Sequence, residues 1–228
     1  MKKPVVLALV SVAMTLPALA QNKIDDRLGT SAEVLRQVLA KPDEVPPAYL
    51  HKAVCVLVFP DVKKVAVGIG GTYGRGVIAC RTGTKMTGPW SAPAMYKLDT
   101  GSLGVQLGST STDYVLLVET KTGAQKILSG KLKLGADATA VAGPSGAKAV
   151  AANDSNIDVL TYSRAKGGLF AGASLASANL DTDDEANKSV YGKDINAIEI
   201  VREGAVKATP AGQPLVTILT KASPKWIY

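Results

Sequence analysis

The stretch VAVGIGGTYGRG, residues 65–76, constrains the fold of this chain more than any other part of its sequence. Four of its glycines share one parity: Gly68, Gly70, Gly74 and Gly76. In an extended strand they point to the same side, which leaves that face almost bare backbone. Glycine in a strand marks a bend or the close approach of another backbone. The pattern predicts either a helix or second sheet packed closely on this face, or a bent hairpin with glycines at its turn. Gly71 breaks the parity and is predicted to form a β-bulge.

These glycines do not have the spacing of a nucleotide-binding loop. The dinucleotide fingerprint G-x-G-x-x-G needs a third glycine where Tyr73 stands, and it opens a helix. Here the next residues, GVIAC, are strand-like, so no helix N-terminus is available for a phosphate. The sequence also lacks the G-x-x-x-x-G-K-[ST] pattern of a phosphate-binding loop. The sequence therefore favours a binding or structural protein over a nucleotide-dependent enzyme.

Most of the chain has the alternation and β-branched content of strands. Successive strand-like segments run from Ala53 to about Leu180, including residues 101–110, and only residues 122–130 among them suggest a short helix. An acidic loop, DTDDEANKS, follows at residues 181–189. The order predicts an α+β fold with a mainly antiparallel sheet or a partly closed barrel.

Helices are predicted at both ends of this sheet. Residues 25–40 carry apolar side chains at helical spacing, with Thr30 and Glu33 as a capping box. Residues 195–204 and 211–223 are predicted as C-terminal helices. No internal repeat or linker divides the chain, so we expect a single domain over residues 21–228, with a core at about 25–191 and a C-terminal extension at 192–228.

The N-terminal segment MKKPVVLALVSVAMTLPALA has the pattern of a secretory signal peptide. Two lysines precede an apolar run, and the segment ends in Ala-Leu-Ala, which predicts cleavage after Ala20. The apolar run is shorter than the ~20 residues of a spanning helix. We expect an exported, periplasmic protein. If it associates with a membrane, we expect it to bind peripherally at the membrane surface. The net charge of +7 stays positive after loss of the two lysines, which favours anionic lipid or envelope polymers over nucleic acid as partners.

The two cysteines, Cys55 and Cys80, lie in apolar strand-like segments. An oxidising compartment permits a disulfide between them. Two buried thiols that act as small apolar side chains are the alternative, because the sequence does not fix the separation that bonding needs.

Residues for catalysis or metal binding are sparse. His51 is the only histidine, no G-x-S-x-G elbow accompanies it, and it is better explained as a surface or capping residue. One histidine and two separated cysteines do not supply the four ligands of structural zinc. The acidic run at residues 181–185 lacks EF-hand spacing. Asp137 lies among small apolar residues and is interpreted as a structural hydrogen-bonding anchor. We expect no enzymatic activity, no metal and no cofactor.

Basic residues at predicted strand ends are the candidates for an anion-binding surface. Such positions suit phosphate head groups, and they also protect solvated sheet edges from aggregation. The candidates are Lys63, Lys64, Arg75, Arg81, Lys131, Lys133, Arg164 and Lys166. Trp90 and Phe170 are the candidate apolar contacts.

Four long segments, taken in order, resemble the SYLF domain family. They are VLVFPDVKKVAVGIGGTYGRGVIACR, GPWSAPAMYKLDTGSLGVQLGSTSTDYVLLV, KLKLGADATAVAGPSG and YSRAKGGLFAGASL. The resemblance covers roughly Asp25 to Tyr191. It implies a lipid-binding module without established catalysis, related to eukaryotic proteins that bind phosphoinositides and, in some cases, actin.

The sequence reading thus gives a non-catalytic lipid-binding domain of the bacterial envelope. The expected ligands are anionic phospholipid or phosphoinositide-like head groups. The alternative is a structural protein that docks on another envelope protein. We do not expect actin as a partner, because an exported bacterial protein would not ordinarily meet it.

Overall fold

Alternating apolar residues on neighbouring strands build one eight-stranded sheet. The computed structural model describes residues 16–40, 45–67, 69–102, 108–130, 132–134, 140–142, 158–165, 175 and 178–226. The strands are β1 (Cys55–Val67), β2 (Ile69–Cys80), β3 (Ala94–Ser102), β4 (Gly108–Val118), β5 (Leu132–Lys133), β6 (Ala140–Ala142), β7 (Val159–Ala165) and β8 (Asn179–Thr182).

The strand order across the sheet is β5-β8-β3-β2-β1-β4-β7-β6. Neighbouring strands are antiparallel except β6 and β7, which pair in parallel. The long β1–β2 hairpin therefore occupies the centre, with β3 and β4 on either side. The predicted α+β class with a mainly antiparallel sheet is confirmed.

Helices precede, interrupt and follow the strands. They are α1 (Leu16–Leu39), α2 (Pro47–Lys52), α3 (Lys121–Leu128), α4 (Asp184–Tyr191), α5 (Ala197–Val201) and α6 (Gln213–Ala222). The predictions of a short helix within the strand region and of two C-terminal helices are confirmed by α3, α5 and α6. No helix in the described ranges is long and apolar enough to span a bilayer.

Each face of the sheet carries its own apolar core, because side chains alternate along every strand. On β1, Cys55, Leu57 and Phe59 belong to one buried cluster, together with apolar residues of α3 and α5. Val56 and Val58 belong to the other, together with residues of α1, α4 and α6. We call these sides the α3 face and the α1 face.

A bulge in β1 explains two of the glycines of β2. The pairing of β1 with β2 shifts between Val58 and Lys63, and β1 shifts against β4 between Phe59 and Val62. A Cβ at Gly76 would lie 2.2 Å from the carbonyl oxygen of Val58 and 2.5 Å from the Phe59 ring. A Cβ at Gly74 would lie 2.6 Å from Val62. The predicted close backbone approach is confirmed here, but the approaching backbone is that of the adjacent strand.

The other expectations for the glycine-rich run need correction. Gly71 pairs regularly with Val65, so it does not form the predicted bulge, which lies in β1 instead. Gly70 pairs with Ala66 near the hairpin end, where Val67 faces Ile69. Gly68 lies outside the described residues, as does Asp137. The hairpin interpretation describes the end of this run, and the close-approach interpretation describes its middle.

Helix α1 begins well before the predicted capping box. Thr30 and Glu33 are interior residues of α1, so they do not form its N-terminus. The Glu33 carboxylate instead accepts hydrogen bonds from Arg36 at 2.9 and 2.6 Å, and another from the Gln37 side chain. The predicted N-terminus is wrong because the helix extends through the residues of the predicted capping box.

Two predicted segments have a different structure. The predicted acidic loop contains the end of β8 and most of α4, with Asp183 buried between them. The predicted single strand over residues 101–110 contributes its first residues to β3 and its last to β4, on opposite sides of the central hairpin. In both cases the secondary structure was determined by pairing with strands that are distant in the sequence.

Cys55 and Cys80 form a disulfide across the β1–β2 pair. They are direct partners in the strand register, and both are fully buried on the α3 face. The alternative of two buried thiols is therefore wrong for the structure described here.

Candidate functional site

Three basic side chains surround one buried carboxylate on the α1 face of the sheet. Asp183 Oδ2 lies 3.2 Å from Arg27 Nη1 and 3.9 Å from Arg75 Nη1, and Asp183 Oδ1 lies 3.9 Å from Lys97 Nζ. The Asp183 side chain is 5% exposed, whereas those of Arg75 and Lys97 are 50% and 38% exposed. We call these four residues the Asp183 cluster.

The fold brings the cluster together from four elements. Arg75 on β2 and Lys97 on β3 are direct partners in antiparallel register, so both side chains emerge on the same face. Arg27 comes from α1, and Asp183 stands between β8 and α4, where its backbone N–H donates to the Met95 carbonyl at 3.0 Å. Like charges directly opposite on paired strands repel. Asp183 offsets part of that repulsion and also ties α1 to the sheet through Arg27.

The two arginines of the cluster are in different environments. Burial is the main influence on Arg27 and lowers its pKa, although Asp183 opposes that change. The pKa of Arg75 is raised, first by its hydrogen bond to the Tyr73 hydroxyl and then by nearby carboxylates that include Asp183 and Glu185. Both groups remain cationic near neutral pH because an arginine pKa starts above 12.

An exposed aromatic ring lies beside the cluster. Tyr73 is 49% exposed and stands out as the exposed large hydrophobic side chain of the described residues. The Nε of Arg75 donates to its hydroxyl, and the guanidinium carbon lies 5.9 Å from the ring centroid. A ring with a polar end, next to cations, is the combination found at the interface between water and lipid.

The structure corrects two predicted surface contacts. Arg81 is fully buried, and Trp90 is 5% exposed. Their side chains stack, with the guanidinium 4.2 Å from the ring centroid. In this conformation neither side chain is placed to contact an external head group, so Arg81 and Trp90 are not part of the predicted lipid-binding surface. The sequence did not show this because the α6 end that covers them lies more than 130 residues away.

The remaining basic candidates do not form one surface. Lys63 is exposed and 3.8 Å from Asp61, at the β1 bulge. Arg164 is 3.7 Å from Asp113 and donates to Gln37 of α1, so its charge already has intramolecular partners. Lys133 is exposed on the short strand β5.

Lys64 pairs through its backbone with Thr72 and Thr110. Three candidates lie outside the described residues: Lys131, Lys166 and Phe170.

Sequence reasoning missed three residues of the cluster and its aromatic neighbour. Lys97 alternates with the buried Tyr96 and Leu98, a pattern that marks it as pointing to the opposite face. Asp183 lies within the predicted acidic loop, and nothing local in the sequence distinguishes it from the neighbouring acids. No sequence pattern identified Arg27, because its contact with Asp183 depends on where α1 crosses the sheet.

The part of the chain that the structure describes gives no evidence of a metal-binding site. Those residues contain no group of three or more His, Cys, Asp or Glu side chains that could hold a metal ion. His51 lies near the end of α6, with Nε2 3.1 Å from the Ala222 carbonyl oxygen, which agrees with the capping interpretation.

The fold and this site define an α+β domain with a cluster of charged residues that reaches its surface. The family described as "Ysc84: Las17-binding protein actin regulator" matches residues 99–222. The chain therefore belongs to the Ysc84 family, which is the SYLF domain family that the sequence motifs resemble.

Several characterised proteins share this similarity over most of the chain. An SH3 domain-containing protein of Schizosaccharomyces pombe is 33% identical over 81% of this chain and 43% of its own length. LAS seventeen-binding protein 3 of Saccharomyces cerevisiae is 30% identical over 80% of this chain and 40% of its own length. SH3 domain-containing YSC84-like protein 1 of Homo sapiens is 29% identical over 79% of this chain and 55% of its own length. The matched region thus spans about half or less of each relative, and none of the three names describes an enzyme.

Proposed function

We propose that this protein is an exported, non-catalytic domain that binds anionic lipid head groups through the Asp183 cluster. The observation that carries the proposal is the pairing of Arg75 with Lys97. Two partly exposed cations stand directly opposite each other on neighbouring strands, beside an exposed tyrosine. An arrangement that costs repulsion in the free protein gains energy when an anion neutralises it.

Hydrogen-bond donors for a ligand are present in this pair. The distances of 3.9 Å from Arg75 and Lys97 to Asp183 indicate ion pairing without hydrogen bonds. The N–H groups of these two side chains are therefore not used by Asp183. A phosphate oxygen could accept from both an arginine and a lysine, as phosphate sites commonly require.

The buried position of Asp183 sets the direction from which a ligand binds. The Asp183 side chain is 5% exposed, whereas those of Arg75 and Lys97 are 50% and 38% exposed. A head group would therefore meet Arg75 and Lys97 from the solvent side, with the Tyr73 ring at the lipid interface. Glu185 also acts on Arg75 and reduces the positive potential there.

Co-sedimentation with vesicles tests this proposal. The predicted processed form, residues 21–228, is mixed with phosphatidylcholine vesicles with or without phosphatidylglycerol, over a salt series. We expect binding to the anionic vesicles alone, weakening as salt rises. Each basic residue near an anionic surface contributes about 1 kcal/mol, so Arg75→Gln with Lys97→Gln should weaken binding about 30-fold.

Two controls isolate the site from net charge. Lys207→Gln with Lys221→Gln removes the same total charge from exposed lysines elsewhere and should have a much smaller effect. Glu185→Gln should strengthen binding, because it removes an acid that acts on Arg75. Equal losses in the two double variants would show that binding is diffuse and would remove the Asp183 cluster as the site.

Docking on an envelope protein is the second candidate function. It is favoured by the names of the relatives, one of which is a LAS seventeen-binding protein. If neither vesicle type is bound, cross-linking in cells followed by mass spectrometry becomes the test. A stoichiometric partner that is lost in the Arg75→Gln, Lys97→Gln variant would support this function and place it at the same surface.

A further inference from the structure

A second arginine site lies in the interior, at the end of the sheet away from the β1–β2 turn. One terminal nitrogen of the Arg81 guanidinium, Nη2, donates to the Ser223 carbonyl oxygen at 2.6 Å and to the Ser223 hydroxyl at 2.7 Å. The indole Nε1 of Trp90 donates to the same carbonyl oxygen at 2.9 Å. Arg81 and Trp90, which also stack on each other, thus converge on a single residue just after α6.

Ser223 satisfies only part of the Arg81 guanidinium. The other two nitrogens, Nε and Nη1, are buried without a hydrogen-bond partner among the described residues. Burial lowers the Arg81 pKa to about 10, so the group remains cationic at neutral pH. A buried cation is costly unless it is paired. Here the compensation comes from the Trp90 ring and from the carbonyl end of α6, which carries partial negative charge.

The segment that covers this arginine is held by side chains from several elements. We call residues 222–226 the C-terminal strap. His51 Nε2 lies 3.1 Å from the Ala222 carbonyl oxygen, and Trp226 Nε1 donates to the Lys52 carbonyl oxygen at 2.8 Å. The Lys121 ammonium lies 5.3 Å from the centroid of the Trp226 ring. The strap therefore runs from α6 on the α1 face to Trp226, which packs against the core of the α3 face.

We propose that the C-terminal strap is a lid over an oxyanion site formed by Arg81 and Trp90. The strap opens while the sheet stays folded, and a carboxylate or phosphate group then replaces the Ser223 carbonyl on the guanidinium. An oxyanion is the expected ligand because it presents two or three acceptor oxygens to the planar fork of donors, whereas the strap engages one terminal nitrogen. The proposal is independent of lipid binding at the Asp183 cluster.

The indole proton of Trp90 reports directly on this lid, because it is hydrogen-bonded to Ser223. The sequence contains two tryptophans, so two indole resonances are expected in an amide NMR spectrum, and Trp226→Phe assigns them. Exchange of the Trp90 indole proton with D₂O is measured against the slowest backbone amides of β1. Samples contain sodium chloride, inorganic phosphate or acetate at equal ionic strength.

If the strap opens while the sheet stays folded, the Trp90 indole proton should exchange at least tenfold faster than the slowest β1 amides. An anion that replaces the Ser223 carbonyl also accepts a hydrogen bond from the Trp90 indole, so phosphate or acetate should shift the Trp90 indole resonance relative to chloride without changing the β1 amides. The two anions separate the phosphate from the carboxylate class. Ser223→Ala removes one acceptor of the charged donor and should accelerate Trp90 exchange about tenfold in chloride.

Two results would overturn the proposal. One is Trp90 exchange at the rate of the slowest β1 amides, which would mean that the strap opens only by global unfolding. The other is the same Trp90 indole chemical shift in chloride, phosphate and acetate. Arg81→Met should abolish the anion response, and if that variant does not fold, Ser223→Ala still tests the opening.

Discussion

Replacement of Gly76 by alanine should strongly destabilise the protein. The new Cβ would lie 2.2 Å from the Val58 carbonyl oxygen and 2.9 Å from the Phe59 Cα, both backbone atoms of the bulged strand β1. Ordinary contacts of a methyl carbon exceed 3 Å, so β1 and β2 must separate by about 1 Å in the centre of the sheet. Overpacking of this kind costs about 3 kcal/mol. In a domain of this size, such a loss lowers the thermal midpoint by about 6–12 °C.

Gly29→Ala is the matched control, because it adds the same methyl group where space is open. Gly29 is exposed in α1, and a Cβ there would have no neighbour within 4 Å. Alanine should stabilise the helix by about 0.5–1 kcal/mol. Both variants are compared by urea unfolding monitored by circular dichroism. If Gly76→Ala unfolds at the wild-type urea concentration, the close approach at the β1 bulge does not constrain the sheet as argued.

Three further predictions address the disulfide, a buried acid and the Asp183 cluster. Cys55 and Cys80 are 25 residues apart, and replacing both by alanine should cost about 3.5 kcal/mol on the loop-entropy account, measured by urea unfolding. Glu119 has a buried oxygen without a described partner, and burial raises its pKa from 4.5 to about 7. The folded state therefore binds the proton more tightly, and this stabilisation is present below pH 4.5 and lost as pH rises towards 7. Glu119→Gln should accordingly raise the thermal midpoint at pH 8 and leave it nearly unchanged at pH 4. Asp183→Asn should lower stability by about 2–3 kcal/mol, because Arg27 loses its buried partner, and should increase sedimentation with anionic vesicles.

The strands were predictable because their signal is local. In β1 and β2 the side chains alternate between the two cores, and this alternation is present in the sequence itself. The predicted helix within the strand region also formed, with Thr120 as its N-cap accepting a hydrogen bond from the Gly123 N–H at 2.9 Å. These features depend on neighbours within a few residues of each other.

The glycine-rich run was only partly predictable. Its parity correctly indicated a close backbone approach, which occurs at Gly76. The partner was misjudged because the bulge that creates the contact lies in β1, around Asp61, whose φ of 51° is left-handed. A bulge shows itself through the pairing of two strands, and a single strand's sequence does not reveal that pairing.

The candidate site shows the same division. Arg75 was identified from the sequence as a basic residue beside glycine, but its partners came from α1, β3 and the start of α4. Arg81 looked equivalent in the sequence and is buried under Ser223, 142 residues later. Whether an arginine is exposed or buried thus depended on the distant segment that covers it.

The sequence by itself determined most of the secondary structure, the SYLF family, the strand alternation that creates two cores, and the presence of two cysteines available for pairing. Only the tertiary structure decided that Cys55 faces Cys80, that Asp183 is buried among three cations, and that the C-terminal strap closes over Arg81. The physical reason is the separation along the chain over which each interaction acts. Alternation and helix propensity act between residues that are close in the chain, whereas burial and ion pairing depend on the strand order that brings distant segments together.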